Sequence, residues 1–264
     1  ENLGNGIVFS DDDGITWYNE QNVTRSLGPA AGGQPGPGAG IQLASGRLLA
    51  VSHMGPMVRD EVFYSDDEGV TWRTTRSSLP RMDEGAFAEY ADNKVMLLMR
   101  HQNEFTRGKA VSRSEDGGLT WSEIFYHRQL PGPNCQASLA SLGHGVLLFA
   151  NPANPVKKRS QIAVKASIDE GKSWRFHLMV ECATTRGYTS LLHGFVSKER
   201  MLTGLLFEAV ENGAIDFKLF RYNVTLALQG GSVPSGAQQQ DRDPRQSSQC
   251  NELMRLGEAQ ESLM

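Results

Sequence analysis

One eight-residue phrase, written four times, limits what this chain can fold into more than any other feature. It reads SDDDGITW from residue 10, SDDEGVTW from residue 65, SEDGGLTW from residue 114 and SIDEGKSW from residue 167, and all four tryptophans of the chain close a copy. The pattern Ser-x-Asp-x-Gly-x-(Thr/Ser)-Trp describes a hairpin turn. The carboxylates of Asp12, Asp67, Asp116 and Asp169 can accept hydrogen bonds from N–H groups of the turn. Gly14, Gly69, Gly118 and Gly171, two residues on, permit positive φ. The Ser and Thr hydroxyls can close the turn from both sides, and Trp17, Trp72, Trp121 and Trp174 can anchor it on neighbouring strands. A repeat near fifty residues, each copy following a strand-like run, predicts an all-β chain of propeller blades, one four-stranded sheet per repeat.

The acidic turns are not calcium loops. Aligning Gly14 with the sixth position of an EF-hand puts Phe9, which has no side-chain oxygen, at the first; the second copy puts Tyr64 there. Three widely spaced cysteines without a CxxC, and six histidines without HExxH spacing, supply neither a disulfide framework nor a zinc site. No metal and no cofactor are expected. With a net charge of −4 and no basic run longer than Lys157-Lys158-Arg159, no nucleic-acid groove is expected either. No apolar stretch reaches membrane-spanning length.

Residues 27–40 (LGPAAGGQPGPGAG) read as a Gly/Pro loop. Four hairpins follow: IQL-ASG-RLLAVSH, AFAEY-ADN-KVMLLMR, ASLASL-GHG-VLLFAN and SLLHGFV-SKE-RMLTGLLFE. Each is separated from the next by one strand, one repeat of the phrase and an outer strand, which predicts four fairly complete blades. Residues 6–26 read as the outer half of an earlier blade, and residues 215–228 as a final strand or two. Arg59 and Asp60 fall in a stretch read as a loop outside the chemistry. The propeller is assigned to residues 1–228, and the polar run 229–264 is assigned to a disordered tail.

Polar residues punctuate the inner hairpins. Glu84 opens one and Arg100 ends it; Arg159 begins the strand before the fourth phrase; Tyr188 opens the last hairpin and Glu208 ends it. Inner-strand ends of a propeller surround its central funnel, so the five can converge. Two arginines beside a tyrosine–glutamate pair suit an anionic, carboxylate-bearing substrate.

These phrases together resemble the sialidase (neuraminidase) family, whose hallmark is the repeated Asp-box, or BNR repeat. The resemblance runs to about residue 228. It rests on GPGAGIQL (36–43), MDEGAFAEYADNKVMLLMR (82–100), LPGPNCQASLASL (130–142), RSQIAV (159–164), GYTSLL (187–192) and GLLFE (204–208). It implies a six-bladed β-propeller of which one to two N-terminal blades are missing here. It implies an exo-α-sialidase acting with retention on sialylated glycoproteins, gangliosides or oligosaccharides, in a lysosomal or secreted setting. By the resemblance Tyr188 is similar to the nucleophile and Glu84 to the acid residue that activates it. Arg100 and Arg159 resemble the second and third members of the carboxylate-binding arginine triad, and Glu208 the group that steadies the first. The family's first triad arginine and its acid/base aspartate belong to a phrase that this sequence does not contain. The alternative class is a non-catalytic Asp-box propeller that binds a glycan or protein.

Overall fold

The computed structural model describes residues 4–27, 33–54, 58–101, 108–154, 158–197, 200–211 and 214–223. Every regular element among them is a strand. The sheets follow the chain in order. β1 (Gly6–Phe9) and β2 (Tyr18–Asn22) form a two-stranded hairpin around the first Asp-box. The next sheet holds β3 (Gln34–Pro35), β4 (Ile41–Gln42), β5 (Leu48–Met54), β6 (Arg59–Ser65) and β7 (Arg73–Pro80). Then come β8 (Asp83–Ala91), β9 (Lys94–Arg100), β10 (Lys109–Ser114) and β11 (Phe125–His127), each paired antiparallel with the next. The last set runs β12 (Ser138–Gly143), β13 (Val146–Pro152), β14 (Ser160–Ser167), β15 (Phe176–Ser197), β16 (Arg200–Glu211) and β17 (Ala214–Asn223).

The long strand β15 departs from the expected separate outer and inner strands. Its first part, to Thr184, pairs with β14, and its second part, from Thr185, pairs with β16. One continuous strand therefore serves as the outer edge of one blade and the first strand of the next. Gly187, at φ +95°, lies at an irregularity near the start of the β15–β16 pairing, between Thr185 and Thr189. The expected outer half-blade is β1–β2. The expected four fairly complete blades appear as three multi-stranded sheets and a three-stranded one formed by β15, β16 and β17. Gln34–Pro35 and Ile41–Gln42, inside the stretch expected as loop or hairpin, pair with β5. Arg59 and Asp60 open β6 instead of lying in a loop. Residues 224–228 of the expected last strand, and the expected tail 229–264, lie outside the described residues.

The core explains why the middle strands are nearly unbroken apolar runs. On β9, Val95, Leu97 and Met99 face the preceding sheet, packing with its Leu49 and Val51 and with Phe87 of the adjacent β8. Met96 and Leu98, on the other face, pack with Leu139, Leu147 and Phe149 of the following sheet. On β13 the same alternation sends Leu148 and Ala150 toward Leu191, Leu205 and Phe207. Blades stacked face to face bury both sides of each strand, so period 2 survives in direction but not in polarity. Each fully buried Leu, Met or Phe contributes roughly 1.5–3 kcal/mol.

At one end of the sheets, the Asp-boxes fold as their spelling predicts. In the fourth, Asp169 Oδ1 accepts the Ser173 N–H at 2.8 Å, Oδ2 accepts the Ser173 hydroxyl at 2.6 Å, and the Ser167 hydroxyl donates to Oδ1 at 2.7 Å. Gly171 N–H in turn donates to Ser167 Oγ at 2.8 Å. The other three copies repeat these bonds. Arginines staple consecutive blades here: Arg47 donates to the carbonyls of Asp116 and Gly117, and Arg113 donates to that of Glu170. Trp72 and Trp174 are buried, but Trp17 is 61% exposed, because β1–β2 offers it no covering sheet.

Candidate active site

Strand direction separates this end from the one where Glu84, Arg100, Arg159 and Tyr188 meet. β9 runs from the Asp-box end to Arg100, and β10 returns from Lys109 to Ser114, where the third Asp-box begins. Six strand residues span about 17–20 Å, so the starts of β8 and β10 and the end of β9 meet far from the acidic turns.

Glu84 is the second residue of β8, and its backbone is unusual. It adopts φ +44°, uncommon for a residue with a side chain, at an irregularity in the β8–β9 pairing. The neighbouring glycines make this possible. A Cβ on Gly85 would lie 2.9 Å from Leu97 Cδ1 and 3.0 Å from Val51 Cγ1, and one on Gly38 would lie 2.2 Å from the Gly85 carbonyl oxygen. The GPGAG loop thus lies directly against the Glu84–Gly85 backbone. The Asp83 carboxylate accepts the Glu84 N–H and lies 3.6 Å from His53 Nδ1. Burial, and then the Glu84 charge, push the Asp83 carboxyl up.

The Glu84 carboxylate faces Tyr188. The Tyr188 hydroxyl donates to Glu84 Oε1, while Arg100 Nη1 donates to Oε2 at 2.6 Å and also reaches the Tyr188 oxygen at 3.4 Å. Burial, followed by the Glu84 hydrogen bond, raises the phenol to about 12, although Arg100 acts in the opposite direction. The tyrosine is therefore neutral at ordinary pH, with its proton aimed at a carboxylate. The Arg159 guanidinium carbon lies 5.8 Å from the centre of the Tyr188 ring. Its Nη1 and Nη2 donate to the carbonyls of Arg186 at 2.9 Å and Asn134 at 3.3 Å.

Gly187 lets the tyrosine reach this place. A Cβ there would fall 2.9 Å from Cys135 Sγ and 3.0 Å from Arg159 Cδ. The next residue is then held by its main chain, since Tyr188 N–H donates to Glu208 Oε2 at 3.2 Å. Glu208 lies within β16 and not at its end. The five residues named from sequence, Glu84, Arg100, Arg159, Tyr188 and Glu208, are thus brought together from four strands and one strand-preceding loop. Chemically they make a neutral phenol with an adjacent base, flanked by two guanidinium groups.

This constellation and the Asp-boxes fit what the chain resembles. The BNR repeat-like domain family matches residues 2–197. A sialidase of Bacteroides fragilis is 31% identical over 218 residues, which cover 77% of this chain and 39% of that protein. A sialidase of Micromonospora viridifaciens is 31% identical over 187 residues, 64% of this chain and 28% of that one. Among solved structures, the Hadza microbial sialidase Hz136 superposes with a TM-score of 0.68 at 30% identity, covering 81% of this chain and 43% of that one. The chain belongs to the BNR-repeat sialidase family. It spans well under half the length of these sialidases.

Three further residues around the sialidase-like site carry no signal of their own in the sequence. Asp60, set aside as a loop residue, is wholly buried, and neither carboxylate oxygen has a hydrogen-bond partner among the described residues. Burial, with the charges of Asp83, Glu84 and Glu61 behind it, raises this carboxyl well above the usual range. Asn134 and Lys109 lie under the two arginines. Asn134 stands in the LPGPNCQ phrase, where nothing local singles it out as a contact. Lys109 begins β10, and nothing in KAVSRS distinguishes a buried lysine from an exposed one.

Proposed function

We propose that this chain carries the nucleophile, its base and two carboxylate-binding arginines of an exo-α-sialidase, which removes terminal sialic acid from glycoproteins, gangliosides or oligosaccharides with retention. The observation that carries the reading is the Tyr188 hydroxyl donating to a Glu84 carboxylate that Arg100 holds from its other side. The anomeric carbon of sialic acid bears a carboxylate. An anionic nucleophile would meet like-charge repulsion of roughly 1–4 kcal/mol at 4 Å. A neutral phenol avoids this, and sialidases with a Tyr nucleophile are an exception to the two-carboxylate pattern of glycosidases.

In the first step, Tyr188 Oη bonds to the anomeric carbon and the phenolic proton passes to Glu84. The bond to the leaving oxygen breaks with its electron pair going to that oxygen, which takes a proton from solvent. With the phenol raised to about 12, proton removal must accompany attack instead of preceding it, and this is general-base catalysis by Glu84. In the second step, water attacks the same carbon and releases a proton to solvent, the Tyr188–sugar bond breaks, and Glu84 returns its proton to the Tyr188 oxygen. Two displacements at one carbon restore the starting configuration. Arg100 and Arg159 grip the substrate carboxylate in ground and transition states alike, so their contribution is mainly orientation. Glu208 holds the Tyr188 main chain in place and can also steady a further arginine.

An aryl sialoside tests the reading, because its phenolate leaves without a proton and the assay isolates the four residues of this chain. Hydrolysis that gives the α-anomer first, and that Tyr188→Phe and Glu84→Gln each suppress, is the expected result. Equal rates in the parent and Tyr188→Phe would refute it.

A further inference from the structure

The proposed reaction uses Arg100 and Arg159 but does not explain what sets the distance between them. Asn134 touches both. Its side-chain Oδ1 accepts Arg100 Nε–H at 2.6 Å, and its main-chain carbonyl accepts Arg159 Nη2–H at 3.3 Å. Asn134 lies in the connection that leads into β12, a segment without strand pairing of its own, so something else must hold it. The carbonyls on either side of it, those of Pro133 and Cys135, both accept from Lys109 Nζ, at 3.2 and 2.7 Å. Lys109 is only 2% exposed. The outer side of the connection is pinned as well. Asn151 Nδ2 donates to the Pro131 carbonyl at 2.8 Å, and a Cβ on Gly132 would come within 2.2 Å of the same nitrogen.

We propose that Lys109 and Asn134 form a positioning strap, in which the buried ammonium grips the chain on both sides of Asn134 so that this one residue spaces the two arginines for a single carboxylate. The inference rests on the function proposed above. A lysine is a costly way merely to tie down a loop. Burying an ammonium without a paired carboxylate costs several kcal/mol, and an apolar residue with a repacked loop avoids that cost. Here both of its hydrogen-bond partners are neutral carbonyls, so its charge remains directed at whatever binds above.

The electrostatics agree. Burial lowers the Lys109 ammonium to about 8. The charged and titratable groups around it are Arg100 at the end of β9 and Arg159 before β14, which lower it further, and Cys135 in the connection and Glu84 on β8, which oppose them. The His101 imidazole is also near, and burial and then the lysine charge hold it down. A bound carboxylate adds a compensating negative charge and favours the protonated form. Binding then weakens as pH rises through about 8, where the free protein loses this proton. Tyr188, raised to about 12, and Cys135, raised by burial, do not change charge in that window.

The test uses the full chain, with the unsaturated 2,3-dehydro analogue of sialic acid as the probe. Calorimetry measures its Kd, and exchange of the Arg100 Nε–H with solvent, followed by nuclear magnetic resonance, reads the strap without ligand. The parent is expected to lose affinity between pH 7 and pH 9. Lys109→Met, which loses the two bonds that hold Asn134 and so the spacing of the arginines, is expected to bind about tenfold more weakly at pH 6.5 and to show no loss of affinity across that range. In Lys109→Met and Asn134→Ala the Arg100 Nε–H should exchange about tenfold faster. The Arg47 Nε–H, bonded to Asp66 at the far end of the sheets, should not change. A parent affinity flat from pH 7 to pH 9, or parent-like Arg100 exchange in Asn134→Ala, overturns the strap. If Lys109→Met does not fold, those two measurements still decide. If the parent binds no analogue, the proposed function fails, while the exchange data still judge the strap.

Discussion

At one end of the sheets, Ser167, Asp169, Gly171 and Ser173 bond to one another across gaps of two to four residues. At the other end, Glu84 and Tyr188 are 104 residues apart in the chain and share one hydrogen bond. The turn end is repeated four times, carries its own hydrogen-bond partners and lowers its carboxyls. The Asp12, Asp67 and Asp169 carboxyls all fall to about 2, the first two led by the Thr hydroxyl that each accepts and the third by its Ser hydroxyl working against burial. The site end occurs once. It raises the carboxyls of Asp60 and Asp83, holds Glu84 at positive φ and buries a lysine. Local repetition stabilises the turn end, where Asp13, Glu68 and Glu170 also take positive φ. The raised carboxyls of Asp60 and Asp83 and the buried Lys109 instead gather at the other end, around Glu84 and Tyr188.

The sharpest way to break this comparison is to change one end and look for effects at the other. Tyr188→Phe should lower turnover of an aryl sialoside on the order of 10³-fold or more, because the nucleophile is gone. Its thermal unfolding should match the parent's, since the ring and its packing remain. A large fall in Tm instead would make Tyr188 a structural residue. Trp174→Ala should do the reverse. Its ring is 3% exposed and packs on Phe149 with centroids 5.9 Å apart, so its loss should cost about 3–5 kcal/mol of stability. Affinity of the folded protein for the 2,3-dehydro analogue should not change, which calorimetry below the new Tm can check.

The next effect is smaller and depends on acid. The Asp-box carboxyls are depressed when folded, from 3.8 to about 2. Their contribution is therefore fully present above about pH 4 and is lost as pH falls from there through 2. The Tm should decline across that window, and replacing Asp12, Asp67 and Asp169 together by Asn should lower Tm at pH 7 while flattening the acid slope. An unchanged slope would show that the site-end carboxyls govern acid unfolding. The smallest effect belongs to the odd member of the set. Trp17→Ala, at a ring that is 61% exposed, should shift stability by less than about 0.5 kcal/mol, as chemical denaturation would show.

The two ends also differ in how far the sequence discloses them. Ser10 to Trp17 and its three copies spell out their own hydrogen bonds, because every partner lies within the phrase. What one copy cannot disclose is its surroundings: Trp17 and Trp174 are spelled alike, and only the neighbouring sheets expose one and bury the other. At the site end, Glu84, Arg100, Arg159 and Tyr188 were legible through their resemblance to a family, not through any local pattern. Lys109 stayed hidden because its partners are main-chain carbonyls, which every residue possesses, and Asn134 because its contacts with Arg100 and Arg159 join residues far apart in the chain. Asp60 was misplaced because MGPMVRD looks like a turn, although its last two residues open a buried strand. The continuity of β15 was lost for a related reason: Gly187 reads as a boundary, but here it lets one strand pass close to Cys135 and Arg159 without breaking.

The central claim is that Tyr188 attacks the sugar while Glu84 takes its proton. A 3-fluorosialyl fluoride tests this most directly: its fluoride leaves without an acid, and the second fluorine slows hydrolysis of the product. Attack forms the bond from Tyr188 Oη to the anomeric carbon, breaks the carbon–fluorine bond and sends the phenolic proton to Glu84. Mass spectrometry of the digested protein should find one sugar on the peptide that contains Tyr188, and none on that peptide in Tyr188→Phe. A label on any other residue, or an unlabelled parent after prolonged incubation, would contradict the account.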